Sequence, residues 1–453
     1  MNIVDLIFER STATHSAVVS PELQLTFGEL EARMRECGRR LKEDANWPKK
    51  ERPRIGLDAP SGADYIVVAL AILQQDACFV PIPNELTASE RVQLAKATAL
   101  DAIVHGPELR VEAVVKDGAA AFDEAALNAL NPAFIRFSSG TTGASKGIVI
   151  SHETLLGRIT AANEGLKIGP EDRVLWVLPM AHHFAVSIVL YLYHGATTIL
   201  APASDPKVML EMMQAHGATV MYGSPYHYTM LSGQPNAAEL GGLRLAVSTA
   251  FALTNEVAEL FASKTGLHLT QGMGIIEAGL PILNLKHAKE KPTSIGQPLP
   301  AFEVKLEDGE LMLRGPGVFD AYLTPWQPRE SVLRDGWFAT GDIAEQDDDG
   351  CFYLRGRVRS VINVGGLKCF PEEVEAVLCS HAGVKAARVS GRAHPALGAM
   401  PAAEIIPQDA DAPPKVIELR KLCQERLSAY KVPLFYTFVS ELPLTASGKL
   451  RRY

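Results

Sequence analysis

The chain has 453 residues, with 44 Lys and Arg against 52 Asp and Glu, a net charge of -8, and 47% hydrophobic against 21% charged residues. At roughly 100–200 residues per domain, this length makes two to four domains with ample core, which excludes a mini-protein stapled by disulfides or a structural metal. The acidic balance lacks the clustered Lys and Arg that neutralise phosphates, so nucleic acid is not expected as a main partner.

The start of the chain carries Asp5, Glu9 and Arg10 where a signal peptide needs a basic tip and an unbroken apolar stretch, so a cytoplasmic protein is expected. Cys37, Cys78, Cys351, Cys369, Cys379 and Cys423 are scattered without a C-x-x-C pair or zinc spacing, and read as reduced thiols. Thr26 with Glu29 three residues later forms a capping-box pattern ahead of apolar residues at helical spacing from Leu30 to Leu41. A buried helix over Tyr65 to Leu73 and a strand over Cys78 to Pro83 follow. No charge lies between Arg173 and Asp205, a length that could span a bilayer. Pro179, His182, His183, His194 and Gly195 interrupt it, and buried strands flanking a buried helix account for it without integral membrane association. Thr219–Tyr222 and Leu243–Val247 continue the alternation of an α/β layered domain.

After about residue 300 the texture changes to short alternating runs, Glu303–Leu306, Glu310–Leu313 and Cys351–Leu354, separated by Gly and Asp turns and expected as antiparallel sheet. Asp347, Asp348 and Asp349 read as a solvated hairpin turn. Helices are expected over Pro371 to Cys379 and Lys415 to Leu427. The fold class is therefore α/β: a large N-terminal domain of layered α/β sheets with a small β-barrel-like part, residues 1–356, and a small α+β C-terminal domain on a hinge, residues 357–453.

The most informative segment is Ser138-Ser139-Gly140-Thr141-Thr142-Gly143-Ala144-Ser145-Lys146-Gly147. Hydroxyls, unhindered backbone N–H groups and the Lys146 charge can wrap a phosphate. Strand-like flanks, Ala133–Phe137 and Ile148–Ser151, distinguish it from a Walker A loop, where a helix follows and Ser or Thr comes after the Lys. By itself the segment could also be a surface hairpin.

This loop resembles the phosphate-binding signature of the adenylate-forming superfamily, which includes acyl-CoA and aryl-CoA synthetases. Further segments resemble that family's motifs in order: Gly309-Glu310-Leu311, Thr340-Gly341-Asp342, the hinge segment Gly356 to Lys368, and Pro443 to Lys449. The resemblance implies an ATP-dependent acid–thiol ligase, which makes an acyl-adenylate from a small carboxylic acid and releases pyrophosphate. It then passes the acyl group to CoA or to the phosphopantetheine of an acyl carrier protein. It further implies that Ser138, Ser139, Gly140, Thr141, Thr142, Gly143 and Lys146 hold the phosphates of ATP and that Asp342 and Arg357 hold the ribose. On the same resemblance Glu277 ligates Mg²⁺, and Lys449 bridges the substrate carboxylate and the α-phosphate. Ala250, Gly272, Met273, Gly274 and Ile276 would surround the nucleotide, Arg359 would be the hinge, and Gly365, Gly366 and Lys368 would face the thiol acceptor.

Two departures stand at Met273 and Ile276, where the family has Tyr and Thr; Ile276 cannot donate the hydrogen bond that Thr gives to phosphate. They leave open a degenerate, non-catalytic binding member. The acid pocket is expected to be lined by His182, His183, Phe184, Tyr222, Ala250, Gly272 and Gly274. No Asp lies between His182 and Ser187 to pair the ammonium of an amino acid, and the segment resembles that of aryl-acid-activating enzymes. An aryl or other compact hydrophobic acid is expected, with a medium- or long-chain fatty acid as the alternative. His183 could bond a ring substituent or be a buried structural histidine.

Overall fold

The computed structural model describes residues 1–84, 86–115, 122–138, 146–202, 204–364, 367–394 and 398–443. Among these residues a nine-stranded sheet runs in the order Gln297–Pro298, Gly279–Leu283, Thr270–Ile275, Leu245–Ser248, Val220–Gly223, Arg173–Trp176, Thr197–Leu200, Ser16–Val19, Gln24–Thr26. It is parallel from Thr270–Ile275 to Ser16–Val19 and antiparallel at both edges. An eight-stranded sheet follows the order Gln327–Pro328, Ala321–Tyr322, Lys146–Ser151, Pro132–Ser138, Cys78–Pro81, Arg54–Asp58, Ala102–His105, Arg110–Ala113.

A common core joins the two sheets, with Ile55, Phe79 and Phe134 of one and Val174, Val220 and Val247 of the other. Helix Ala63–Gln74 is buried at all but two of its positions, as its continuous apolar sequence requires, and packs as an inner layer. Phe79 meets Tyr65, Phe134 and Phe184 at ring centroid distances of 6.2, 5.7 and 5.6 Å. The expected helix after Thr26 spans Phe27–Glu43, with both hydrogen bonds of the capping box formed by Thr26 and Glu29.

The uncharged stretch after Arg173 folds as strand Arg173–Trp176, short helical segments Met180–His183, Phe184–Ile188 and Val189–Tyr193, and strand Thr197–Leu200. Among the described residues no helix is long and apolar enough to cross a membrane. The antiparallel part is a four-stranded sheet, Glu303–Glu307, Glu310–Arg314, Phe338–Gln346 and Phe352–Arg357. The aspartate turn closes its last hairpin, and Lys291 pairs with Asp347 at 2.6 Å and with Asp349.

The C-terminal α+β part has its own core, in which Val374 and Leu378 of helix Pro371–Cys379 and Leu419 of helix Val416–Arg426 meet Ile362, Val389 and Ile405 of its sheet. The boundary expected after residue 356 falls next to the end of strand Phe352–Arg357.

Helix His152–Leu166 links these layers to the site. Ser151 caps it, and the Asp320 carboxylate accepts from Ser151 N at 2.6 Å and Thr154 Oγ1 at 2.8 Å. His152 is buried, and its Nδ1 accepts the Ile3 N–H at 3.2 Å, tying helix Ile3–Arg10 to the core. Burial lowers the His152 pKa from 6.5 to about 4, against the raising effect of Glu153 and Asp76. Between those values the unfolded chain binds the extra proton. This contribution to stability is therefore complete above pH 6.5 and is lost as pH falls toward 4, at about 1.4 kcal/mol per pH unit. Urea midpoints measured from pH 7 to pH 4.5 should fall accordingly. The His152→Asn variant, whose Oδ1 can still accept from Ile3, should show a shallower fall; an identical slope would place the titration elsewhere.

Candidate active site

The strands of the nine-stranded sheet run parallel from Ser16–Val19 to Thr270–Ile275, and in such an open α/β sheet a ligand is expected in the crevice beyond their carboxyl ends. Strand Thr270–Ile275 leads there and turns through Ile276, Glu277 and Ala278 into the antiparallel strand Gly279–Leu283. A buried guanidinium holds this turn. Arg158 is 1% exposed, donates from Nη1 to Ile276 O at 2.8 Å, and donates from Nε and Nη2 to Gly317 O at 3.0 and 2.6 Å. Glu277 O accepts from Phe319 N at 2.7 Å, fixing the turn from a second side. Gly279 is required twice over, because its φ is +82° and a Cβ there would lie 2.5 Å from Arg158 Cγ.

The Glu277 side chain is half-buried and takes no side-chain hydrogen bond among the described residues. Desolvation raises its pKa, opposed by its own backbone N–H and by the charges of Arg357, Arg158 and Arg136. A desolvated carboxylate without a side-chain donor fits a divalent cation of the kind that takes one or two protein carboxylates and completes its shell with substrate phosphates and water.

Across the crevice the antiparallel sheet presents Asp342, 6% exposed, whose Oδ1 accepts from Arg357 Nε at 2.8 Å. These residues are paired in register on neighbouring strands. The geometry comes from two of the sequence signatures acting together. Glu310 Oε1 accepts from Gly341 N at 3.0 Å, and Thr340 Oγ1 donates to Leu311 O at 2.8 Å and accepts from Asp342 N at 3.0 Å. Gly341 has a φ of +75°, so the turn that delivers Asp342 needs glycine at this position.

On the other side, Tyr222 ends strand Val220–Gly223 in stacked contact with Trp176, and His183 meets the same indole edge-on. Burial raises the Tyr222 hydroxyl pKa to about 12, partly offset by its hydrogen bond with Thr249. Ala250, next in the chain, has a φ of +72°, a conformation an alanine seldom adopts and one that recurs at ligand sites. Arg136 donates to His182 O at 2.5 Å and contacts His182 Nδ1 at 3.1 Å, so the ring proton of His182 lies on Nε2.

Phe184, expected on the acid pocket, is 1% exposed, and its ring packs on Tyr65 and Phe79 between the sheets. The chain enters a π-helical turn at this residue, which carries the side chain inward. Met273 is likewise buried, against Ala278, Ile282, Leu311 and Phe352, while Gly274 on the opposite face of the strand is exposed. Gly272 is buried, and a Cβ there would meet Leu283 and Leu280. Ile276 packs on the main core and serves the site through its carbonyl.

Ser138 and Lys146 face each other on the paired strands Pro132–Ser138 and Lys146–Ser151, giving the expected strand–loop–strand. Ser139 to Gly143, Gly365, Gly366 and Lys449 lie outside the described residues. Arg359 lies in the short helix Val358–Ser360 and Lys368 in strand Leu367–Cys369. Sequence reasoning missed Arg136, Arg158 and Trp176. The signal for the first two was a lone arginine among apolar residues, in Ala133-Phe134-Ile135-Arg136-Phe137 and in Leu155-Leu156-Gly157-Arg158-Ile159.

A buried carboxylate on the antiparallel sheet, two paired strands flanking the glycine- and hydroxyl-rich sequence, and a small following α+β part are the arrangement expected of an adenylate-forming enzyme. The sequence matches the AMP-binding enzyme family over residues 8–323 and the AMP-binding enzyme C-terminal domain over residues 373–449, and the chain belongs to this family. It is 29% identical to a feruloyl-CoA synthase from Amycolatopsis sp over 94% of this chain and 92% of that protein. It is 32% identical to a long-chain-fatty-acid–CoA ligase from Bacillus subtilis over 71% of this chain and 60% of that one. The fold is similar to that of o-succinylbenzoate CoA synthetase from Bacillus subtilis in complex with its acyl-adenylate intermediate, with a TM-score of 0.86, 23% identity, and coverage of 100% of this chain and 97% of that one. The chain is thus an adenylate-forming acid–thiol ligase.

Replacing Arg158 by Met keeps the side-chain volume and leaves the Ile276 and Gly317 carbonyls without their donors. The variant should lose about 2–4 kcal/mol in urea unfolding with an unchanged m-value. A loss below about 0.5 kcal/mol would mean that water replaces the clamp at no cost.

Proposed function

We propose that this ligase activates an aryl or other compact hydrophobic acid as its adenylate and transfers the acyl group to a thiol, that of CoA or of a carrier-protein phosphopantetheine. The observation that carries the choice of acid is the grouping of Tyr222, His183 and Trp176 beside the crevice, combined with the lack of any Asp or Glu from Arg173 to Ser204. Rings offer an aromatic acid area and offset stacking, and nothing in that segment would pair an ammonium. The feruloyl-CoA synthase likeness supports this reading. The six unpaired cysteines suit a reducing, cytosolic setting.

In this reading the acid's carboxylate attacks the α-phosphate of ATP and pyrophosphate leaves. Two anions must meet, so the chain's task is to fix positive charge and N–H dipoles around them. The loop from Ser138 through Gly143 and Lys146 holds the phosphates, and Gly272, Gly274 and Ala250 offer backbone to the adenine and the acid. Both oxygens of Asp342 accept from the ribose hydroxyls, with Arg357 orienting that carboxylate. Glu277 would hold Mg²⁺, which when bound neutralises phosphate charge. Lys449 places its ammonium between carboxylate and α-phosphate. For thiol transfer, residues 357–453 rotate about Arg359 against residues 1–356, so that Gly365, Gly366 and Lys368 face the thiol.

ATP–pyrophosphate exchange with pooled aryl, short-chain, long-chain and amino acids, without thiol, tests the first step. Exchange confined to the aryl or short-chain pool is expected; exchange confined to long-chain acids would overturn the choice of acid. Lys449→Ala should lose on the order of 10²–10³ in adenylation rate yet still convert a supplied acyl-adenylate to thioester. Equal loss of both half-reactions would remove Lys449 from its bridging role.

A further inference from the structure

Strand Arg173–Trp176 ends in an indole enclosed by three other aromatic side chains. Trp176 is 2% exposed, stacks on Tyr222 at 5.8 Å with planes 23° apart, and meets His183 at 5.6 Å and Tyr191 at 6.0 Å, both edge-on. Tyr222 and His183 are the rings that face the acid in the proposed function, so Trp176 forms the next layer inward.

Its indole Nε1–H is buried and has no hydrogen-bond acceptor among the described residues. A tryptophan that merely fills a core normally has this donor satisfied, and a buried donor left open calls for an explanation such as a ligand atom. The segment that covers the indole is itself irregular. Phe184–Ile188 is a π-helical turn inserted between Met180–His183 and Val189–Tyr193, a form found mostly as single turns at functional sites. Ser187 on that turn is hydrogen-bonded to Tyr191, which places the turn's polar side chain in the same cluster. On the far side Tyr222 is hydrogen-bonded to Thr249, beside the strained Ala250. The indole therefore sits between the irregular helix and the strained turn, in contact with the rings that face the acid.

We propose that Trp176 is the specificity-determining residue for the acid: its ring closes the inner end of the acyl pocket, and its N–H takes an acceptor oxygen at the far end of a compact ring acid. This rests on the reading of the crevice as an acyl-adenylating site. A straight chain long enough to pass the Tyr222 and His183 rings meets the indole edge, whereas a ring acid bearing a hydroxyl, methoxy or carbonyl oxygen opposite its carboxylate ends at the donor.

The test compares kcat/KM in ATP–pyrophosphate exchange for benzoate, 4-hydroxybenzoate, hexanoate and dodecanoate in the wild type, Trp176→Ala and Trp176→Phe. Trp176→Ala should raise the dodecanoate-to-benzoate ratio by about tenfold or more, within what a few methylenes are worth in a pocket. Trp176→Phe keeps a ring and removes only the N–H, so it should keep the length limit and lose about tenfold of the preference for 4-hydroxybenzoate over benzoate. Should the alanine variant fail to fold, the phenylalanine variant decides alone. Unchanged ratios in a folded variant would make Trp176 a core residue and overturn the inference. If the wild type exchanges with none of the acids, the proposed choice of acid fails separately. Calorimetric titration of benzoate and 4-hydroxybenzoate into wild type and Trp176→Phe then decides, equal affinity ratios overturning the role of the indole.

Discussion

One buried guanidinium determines how the site can be built. Arg158 rises from helix His152–Leu166 and uses its donors on the carbonyls of Ile276 and Gly317, joining the helix, the Glu277 turn and the loop leading to Phe319. Taking such a charge out of water is costly unless its donors are used and a counter-charge is near. Burial lowers the Arg158 pKa to about 10, opposed by Asp320 and Glu277, so the side chain is still cationic at neutral pH. The surroundings follow from this. Gly279 has no side chain because one would strike the arginine stem, and Asp320 serves both as counter-charge and as acceptor at the start of the same helix.

The Asp342 side of the crevice is organised on the same economy of backbone groups. The glutamate of Gly309-Glu310-Leu311 and the glycine of Thr340-Gly341-Asp342 are far apart in the chain, yet Glu310 accepts the Gly341 N–H directly. Two motifs that look independent are two halves of one turn on adjacent strands. What they achieve is a buried carboxylate held on an inner strand of the sheet with one oxygen already bonded to Arg357.

Much of this was legible because local chemistry and fold agree. The Thr26 capping box, helix Pro371–Cys379, the strands flanking the glycine-rich loop and the antiparallel runs after residue 300 are set by short-range patterns that packing reinforces. The ordered signatures also located Asp342 and Arg357 as a pair. What escaped is what depends on side-chain direction. His183 and Phe184 are neighbours in sequence, but the π-helical turn sends Phe184 into the core and leaves His183 against Trp176. Arg136 and Arg158 were hidden for a related reason: periodicity marks an arginine in an apolar run as an exception but cannot tell which carbonyl it will meet.

The finished crevice separates two kinds of chemistry. Arginines and carboxylates gather where the antiparallel sheet faces the Glu277 turn, and rings gather where the parallel strands end under the irregular helix. That division suits a reaction in which one end of a substrate meets phosphate and the other is recognised by shape. Arg136 lies on the line between them. Its electrostatic field reaches Glu277, while its donors hold the His182 carbonyl and ring, fixing the segment that carries His183. It also stands two residues before Ser138, on the strand that opens the glycine-rich loop. A displacement of that strand is therefore transmitted to the helical segment over the rings by a charged hydrogen bond and not by apolar contact alone. The length and direction of such a bond tolerate less variation than packing does, so the phosphate side and the acid side are held to a common geometry.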